Sequence, residues 1–335
     1  MQLKFDTSYR HMGVLRQVAT RMGLAMLLVC GVMQEEVRAE AVREEVLAPL
    51  PVDWQPATFS RSLGFDLTSR YTGQTYRILL GLPHKPAPAG GYPVLWALDG
   101  LASFPLMETA RPRPVSANES AQWRRKIGDE PAGLIVAIGY ASGDPIDVNA
   151  RALDYTPVTS GSTGDTFSSQ HGGEENFLRF LTEELRPLIA SHFAINPERN
   201  TLFGFSYGGL FTLNTLARAP GFFQRYWASS PSLWFGGHQT MKLLPDRLKN
   251  NATALTGVNK VMITVGSDEQ YPASFSSEQE YKKLQERTMV DNAEQYAQAL
   301  QAQGLAVSFE KLPAHDHMDM LMHGARRVVG FAFAP

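Results

Sequence analysis

Cysteine is almost missing from this chain of 335 residues; the only one is Cys30. A single thiol excludes an internal disulfide framework and any metal site built from several cysteines. A strong excess of one charge is missing too. Lys and Arg number 31 and Asp and Glu 33, a formal net charge of −2. A nucleic-acid partner, which rewards a basic surface, is therefore not expected. No apolar run reaches the roughly 20 residues that a membrane-spanning helix needs. There is no internal repeat and no low-complexity tract. With 44% hydrophobic and 19% charged residues, the composition fits neither a disordered nor a collagen-like chain. The length allows one large globular domain or two small ones.

The first residues read as a leader. Lys4, Arg10, Arg16 and Arg21 face one acid, Asp6, and the apolar run 22–33 follows. Small residues then stand at Ala39 and Ala41. A basic start, a short apolar run and a small-residue site, in that order, describe a secretory signal. Residues 1–39 are read as a signal peptide cut after Ala39, 40–56 as an N-terminal extension and 57–335 as one folded domain. An amphipathic N-terminal helix is the alternative. Leu28-Val29-Cys30 is not taken as a lipid-attachment site, because Val is bulky where a small residue is required. Losing the leader removes Cys30, and a cysteine-free chain suits an oxidising compartment such as a periplasm.

Downstream, strand and helix patterns alternate. Residues 63–67 and 76–82 read as an opening β-hairpin around the turn-prone stretch 69–73. Short apolar runs at 93–98, 133–138, 201–205, 258–265 and 305–312 read as strands, the first two flanked by Gly or Pro as in strands buried on both faces. Leu178, Leu181, Leu185 and Leu188 recur at helical spacing. Further helical patterns occupy 207–219, 289–303 and 318–333. The alternation predicts an α/β domain with a mostly parallel sheet and helices on both faces. Two long stretches, 107–131 and 144–173, read as loops that follow strands, and they are expected to wall a binding cleft.

The strongest signal is Gly204-Phe205-Ser206-Tyr207-Gly208-Gly209, between a strand and a helix. Gly-x-Ser-x-Gly in that setting is a nucleophile elbow of the α/β-hydrolase fold. A sharp, strained turn presents Ser206 Oγ at a helix N-terminus, and glycines keep neighbouring side chains out of the way. On this fold the order is Ser, acid, His. Of the later histidines, His238 comes too early and His323 falls within the last helix. His317 is preferred over His315 for its place at the loop–helix junction. The His315-Asp316-His317 spacing also admits a metal reading, which lacks further clustered ligands. The acid is expected after the strand 258–265, where Glu269 is favoured over Asp268. An acyl-transfer site also needs two N–H donors for the oxyanion, and the backbones of Tyr207 and Gly100 are expected to supply them.

These blocks resemble a known family. Residues 94–100, Arg151-Ala-Leu-Asp-Tyr-Thr-Pro157, 204–209, Ser229-Ser-Pro-Ser-Leu-Trp234 and 266–269 are similar to the esterase D-like α/β hydrolases, and within them to periplasmic ferric-enterobactin and salmochelin esterases. The likeness runs from Phe59 to Phe333. It implies hydrolysis of the serine esters of a trilactone catecholate siderophore, with Ser and His essential and the acid variable. Iron would arrive only with the substrate, and no cofactor or metal is implied. For so aromatic and anionic a ligand, Arg151 is the first expected contact. Tyr155 and Trp234 are expected stacking walls, and Arg111, Arg113, Arg124 and Arg125 are further candidates.

Overall fold

The computed structural model describes residues 59–112, 118, 120 and 132–334. The leader and extension, Arg113, Arg124 and Arg125 lie outside the described residues. A compact unit runs from Thr58 to Pro335. Its strands are β1 (Ser62–Thr68), β2 (Thr75–Gly81), β3 (Tyr92–Ala97), β4 (Leu134–Tyr140), β5 (Ile195–Phe205), β6 (Arg225–Ser229), β7 (Lys260–Gly266) and β8 (Val307–Leu312). They form one sheet in the order β1-β2-β4-β3-β5-β6-β7-β8. β1 and β2 form an antiparallel hairpin, and β2 is antiparallel to β4. Every later pairing is parallel.

The strands are sorted by their period of two. Val94, Trp96 and Leu98 enter one core cluster, while Leu95 and Ala97 enter the opposite one. Leu134, Val136 and Ile138 alternate in the same way with Ile135 and Ala137. A sheet covered on both faces needs side chains apolar in both directions, so such strands read as unbroken apolar runs.

The helices are α1 (Gly100–Ala110), α2 (Val148–Tyr155), α3 (Glu174–Arg179), α4 (Arg186–His192), α5 (Tyr207–Arg218), α6 (Phe235–Asn250), α7 (Ala252–Leu255), α8 (Glu278–Arg287), α9 (Met289–Ala302) and α10 (His317–Phe333). A π-helical turn, Phe180–Leu185, joins α3 to α4. α1 and α10 cover one face, giving Phe104, Met107, Ala325 and Val328 to its core. α5 and α9 cover the other, giving Leu210, Leu213, Tyr296 and Leu300. Among the described residues no helix is long and apolar enough to cross a membrane.

The structure departs from the sequence reading in several places, among them α6 and α8, helices that the pattern does not suggest. β6 is a strand that the pattern did not suggest. It has five residues, and the apolar signal of Tyr226, Trp227 and Ala228 is too short to register. α1 begins at Gly100, just past the apolar run 93–98, and extends into the stretch 107–131 that reads as a loop, with Pro105 inside the helix. α2 lies within the stretch 144–173, which was expected to be loop throughout. Asp147 caps it by accepting the Ala150 N–H at 3.0 Å, a local device that fixes a helix of only two turns.

Candidate active site

Ser206 sits between β5 and α5 with φ 59° and ψ −116°. Positive φ is costly for a residue with a side chain and persists only where the surroundings over-determine it. Here they do. A Cβ at Gly204 would lie 2.0 Å from the Gly208 carbonyl oxygen, and one at Gly209 would lie 3.0 Å from the Ser229 oxygen. Gly208 differs: a Cβ there would meet Leu98 and Asp99 only at ordinary contact distances. What the turn requires at 208 is a close backbone, whereas at 204 it requires an absent side chain. The Ser206 N–H donates to Ser229 O at 2.9 Å, and the Ser232 N–H donates back to Ser206 O at 3.1 Å.

His317 is the first residue of α10. Asp316 caps that helix by accepting the N–H groups of Met318 and Asp319, and Asp319 accepts the Asp316 N–H in return. This reciprocal cap fixes where the helix begins, and so where the imidazole stands. His317 Nε2 lies 3.0 Å from Ser206 Oγ, and Nδ1 lies 2.5 Å from Glu269 Oε2. An ionised carboxylate only accepts. Nδ1 therefore carries the ring proton, and Nε2 is left to accept from the Ser206 hydroxyl.

Glu269 ends a 3₁₀ turn directly after β7. Its side chain is enclosed, and Oε1 accepts from Ser230 Oγ at 2.5 Å and from the Gly266 N–H at 2.8 Å. These bonds fix the carboxylate before it meets the histidine. Asp268 turns elsewhere, accepting from Ser267 Oγ at 2.8 Å. The Asp268 N–H donates to the carbonyl oxygen of His315. The His315 ring bonds Pro313 O at 2.8 Å. Of the two acids and two histidines weighed from sequence, Glu269 and His317 are brought to Ser206. His323 lies in α10 beside Arg327, and His238 pairs with Thr288.

Gly100 and Tyr207 are the first residues of α1 and α5, where backbone N–H groups find no acceptor within their own helix. A Cβ at Gly100 would lie 2.7 Å from backbone atoms of Ala137 and Ile138, so only glycine lets α1 begin that close to β4. The preceding Asp99 is held at φ 50°. Arg151 holds it there. Its guanidinium donates two bonds to the Asp99 carboxylate, at 2.8 and 3.0 Å, and a third to Phe205 O at 3.0 Å. One buried cation thus ties the turn before Gly100 to the residue before Ser206.

The structure separates the expected substrate contacts into those at the cleft and those in the core. Arg151 borders the cleft, where a substrate contact was expected of it, and it also holds Asp99. Tyr155 is fully buried and packs edge-on to Phe177, so it belongs to the core and is no stacking wall. Arg111 is buried too, clamped to Glu108 and to the carbonyls of Gly81 and Gly133. Trp234 does line the cleft. The sequence reading gave no separate role to Ser230 or Ser232. Ser230 orients Glu269, and Ser232 Oγ stands 3.3 Å from Ser206 Oγ. Their signal was the block Ser229-Ser-Pro-Ser-Leu-Trp234, which carried the resemblance without assigning either serine a task.

The cleft above Ser206 has a volume of about 680 Å³, in the range that holds a small organic ligand. Val148, Phe167, Phe275 and Met318 line it and are also exposed, so its rim is apolar. Among the described residues, no group of three or more His, Cys, Asp or Glu is placed to hold a metal ion.

A model of the Esterase family matches residues 69–318. The chain is similar to a ferri-bacillibactin esterase of Bacillus subtilis, 32% identical over 281 residues that cover 80% of this chain and 88% of that protein. It is also similar to a siderophore enterobactin esterase of Emericella nidulans, 32% identical over 232 residues, covering 64% of this chain and 73% of that one. Among solved structures, the BES protein of Bacillus cereus matches with a TM-score of 0.65 and 27% identity, covering 82% of this chain and 98% of that chain.

Proposed function

This chain belongs to the Esterase family and is a carboxylic ester hydrolase, and from that premise we propose that it hydrolyses the ester bonds of a siderophore, of the catecholate trilactone kind such as ferric enterobactin. The observation that carries the reading is the unbroken line from Ser206 through His317 to Glu269, opening into a wide cleft with an aromatic rim. The names of the two relatives, one acting on ferri-bacillibactin and one on enterobactin, support the substrate class.

In this reading Ser206 Oγ attacks the ester carbonyl carbon while His317 Nε2 takes the hydroxyl proton. Negative charge moves to the carbonyl oxygen, where the N–H groups of Gly100 and Tyr207 receive it at the positive ends of two helices. Such a donor pair acts where charge develops, and loss of one donor costs about 10²–10³ in rate. Glu269 steadies the imidazolium and then releases no proton of its own. His317 passes its proton to the leaving alkoxide, which breaks the ester bond and leaves an acyl-enzyme on Ser206. Water, deprotonated by His317, then frees the acid and restores the serine. The iron enters and leaves with the substrate, and the chemistry invokes no resident cofactor. The leader-like composition of residues 1–39 supports a periplasmic site of action for this enzyme.

The test offers ferric and iron-free enterobactin to the full protein and follows linear dihydroxybenzoylserine products by chromatography. Wild type is expected to release them, and Ser206→Ala is expected to release none above background. Turnover of short acyl esters with no siderophore cleavage would discard this substrate and leave a general secreted carboxylesterase of the same fold.

A further inference from the structure

Arg287 and Lys283 lie one turn apart on α8, so both project from one side of that helix. The Arg287 guanidinium stacks on the Trp234 ring, 4.1 Å from its centre, and the Lys283 ammonium stands 5.1 Å from the centre of Phe167. Trp234, Phe167 and Arg287 all line the cleft that holds Ser206.

Neither cation has a carboxylate within salt-bridge distance among the described residues. Arg287 Nη2 is buried and has no hydrogen-bond partner. The nearby acids are already engaged. Asp165 is enclosed and accepts from the Phe167 N–H, the Ser168 N–H and His171. Glu280, which also borders the cleft, accepts from the backbone and hydroxyl of Ser276. Burial pushes both cations toward neutrality, and for Lys283 the neighbouring charge of Arg287 adds to the push. Asp165 acts on both from beyond salt-bridge distance, so two like charges stand together on aromatic faces with no carboxylate bonded to either. Arg151, by contrast, carries its own carboxylate.

We propose that Arg287 and Lys283 form an anion-reading subsite, which holds a negatively charged, oxygen-rich group of the ester substrate in the cleft of Ser206. An aromatic carboxylate or catecholate meets this wall in two ways: its oxygens bond the guanidinium fork, and its ring packs among Trp234 and Phe167. The inference rests on the ester-hydrolase reading of the cleft and is independent of which siderophore is cleaved.

The experiment compares two aryl esters of similar acyl length, 4-nitrophenyl butyrate, which is neutral, and 4-nitrophenyl hemisuccinate, which is anionic. The quantity read is the ratio of their kcat/KM values. In Arg287→Gln the anionic-to-neutral ratio is expected to fall by about tenfold or more, the loss of one charge-assisted contact. Lys283→Gln is expected to lower it less, and Arg287→Lys to restore part of it, because the point charge returns without the fork. A ratio in Arg287→Gln within about threefold of wild type overturns the subsite, since rim charges that contact no substrate change rates only slightly. Should that variant fail to fold, unmodified protein decides: raising salt from about 0.05 to 0.5 M is expected to raise KM for the anionic ester more than for the neutral one. Equal salt effects on the two esters overturn the subsite. Wild-type protein that hydrolyses neither these esters nor ferric enterobactin refutes the esterase reading itself, a separate outcome.

Discussion

Helices α5 and α8 border the same cleft and are built in opposite ways. α5 buries every residue from Tyr207 to Ala217, whereas α8 buries none. The difference sorts the two tasks of the site. Chemistry needs reacting atoms held to within about half an ångström, which a packed core can supply. Accordingly, Ser206 sits at the mouth of the buried helix, and its partners are pinned by backbone bonds. Recognition needs side chains that vary without disturbing the frame. Glu280, Leu284 and Arg287 on the surface helix meet that need. Substitutions on α5 and its turn should therefore strike rate and folding, while those on α8 should retune substrate choice.

The sharpest way to press this comparison is Ser206→Ala. With the nucleophile gone, kcat is expected to fall by at least about 10³-fold, with thermal stability nearly unchanged because one oxygen is lost. Rates on any turned-over ester, with a parallel melting curve, check it. Next comes the acid. Glu269→Gln keeps the shape but removes the charge that steadies His317, and about 10²–10⁴ in kcat is expected to go. Asp268→Asn, whose side chain bonds Ser267 instead, is expected to cost less than about tenfold. Equal losses would return both acids to contention.

The frame breaks differently. Gly204→Ala would force a methyl group into the Gly208 carbonyl, and a loss of at least about 3 kcal/mol is expected in urea titration. Glu286→Ala on the exposed face of α8 is expected to stay within about 0.5 kcal/mol of wild type. Trp234, where the two walls meet through Arg287, gives a smaller effect. Trp234→Ala is expected to raise KM for an aromatic ester by about five- to tenfold and to lower kcat less.

The smallest effect lies in the core beneath α2. Asp154 is buried and accepts from the hydroxyls of Tyr76 and Tyr140 at 2.7 and 3.2 Å. Burial pushes its carboxyl up to about 7, from an ordinary 3.8. With the folded value raised, the folded state binds more proton than the unfolded state between those two pH values, so stability falls as pH rises through that window. Asp154→Asn removes this term. The variant is expected to gain on wild type by a few degrees in melting temperature between pH 4 and 8, and a constant difference would contradict the assignment.

Much of the buried frame was legible in the sequence, because its signals are local. Gly204, Ser206 and Gly208 stand within five positions, and strands covered on both faces announce themselves as apolar runs. The position of His317 follows from chain order and from a cap written into Asp316 and Asp319. What escaped was pairing across distance. Nothing near Arg151 says that Asp99, 52 positions away, bonds its guanidinium, so its structural tie could not be read beside the expected substrate contact. Tyr155 went the same way, since an aromatic residue at a helix end reads alike whether core or wall. β6 was lost to its brevity and α1 to Pro105. α8 was never singled out, because a helix with no apolar stripe carries no period to read, and the unpaired Arg287 went unnoticed with it.

The central claim is that Ser206 is the nucleophile, activated by His317. The most direct test treats the full protein with a fluorophosphonate and maps the adduct by mass spectrometry of its peptides. Stoichiometric labelling of Ser206, slowed by at least about 10²-fold in His317→Ala, is the predicted result. No adduct, or one on another residue while ester turnover persists, would contradict it.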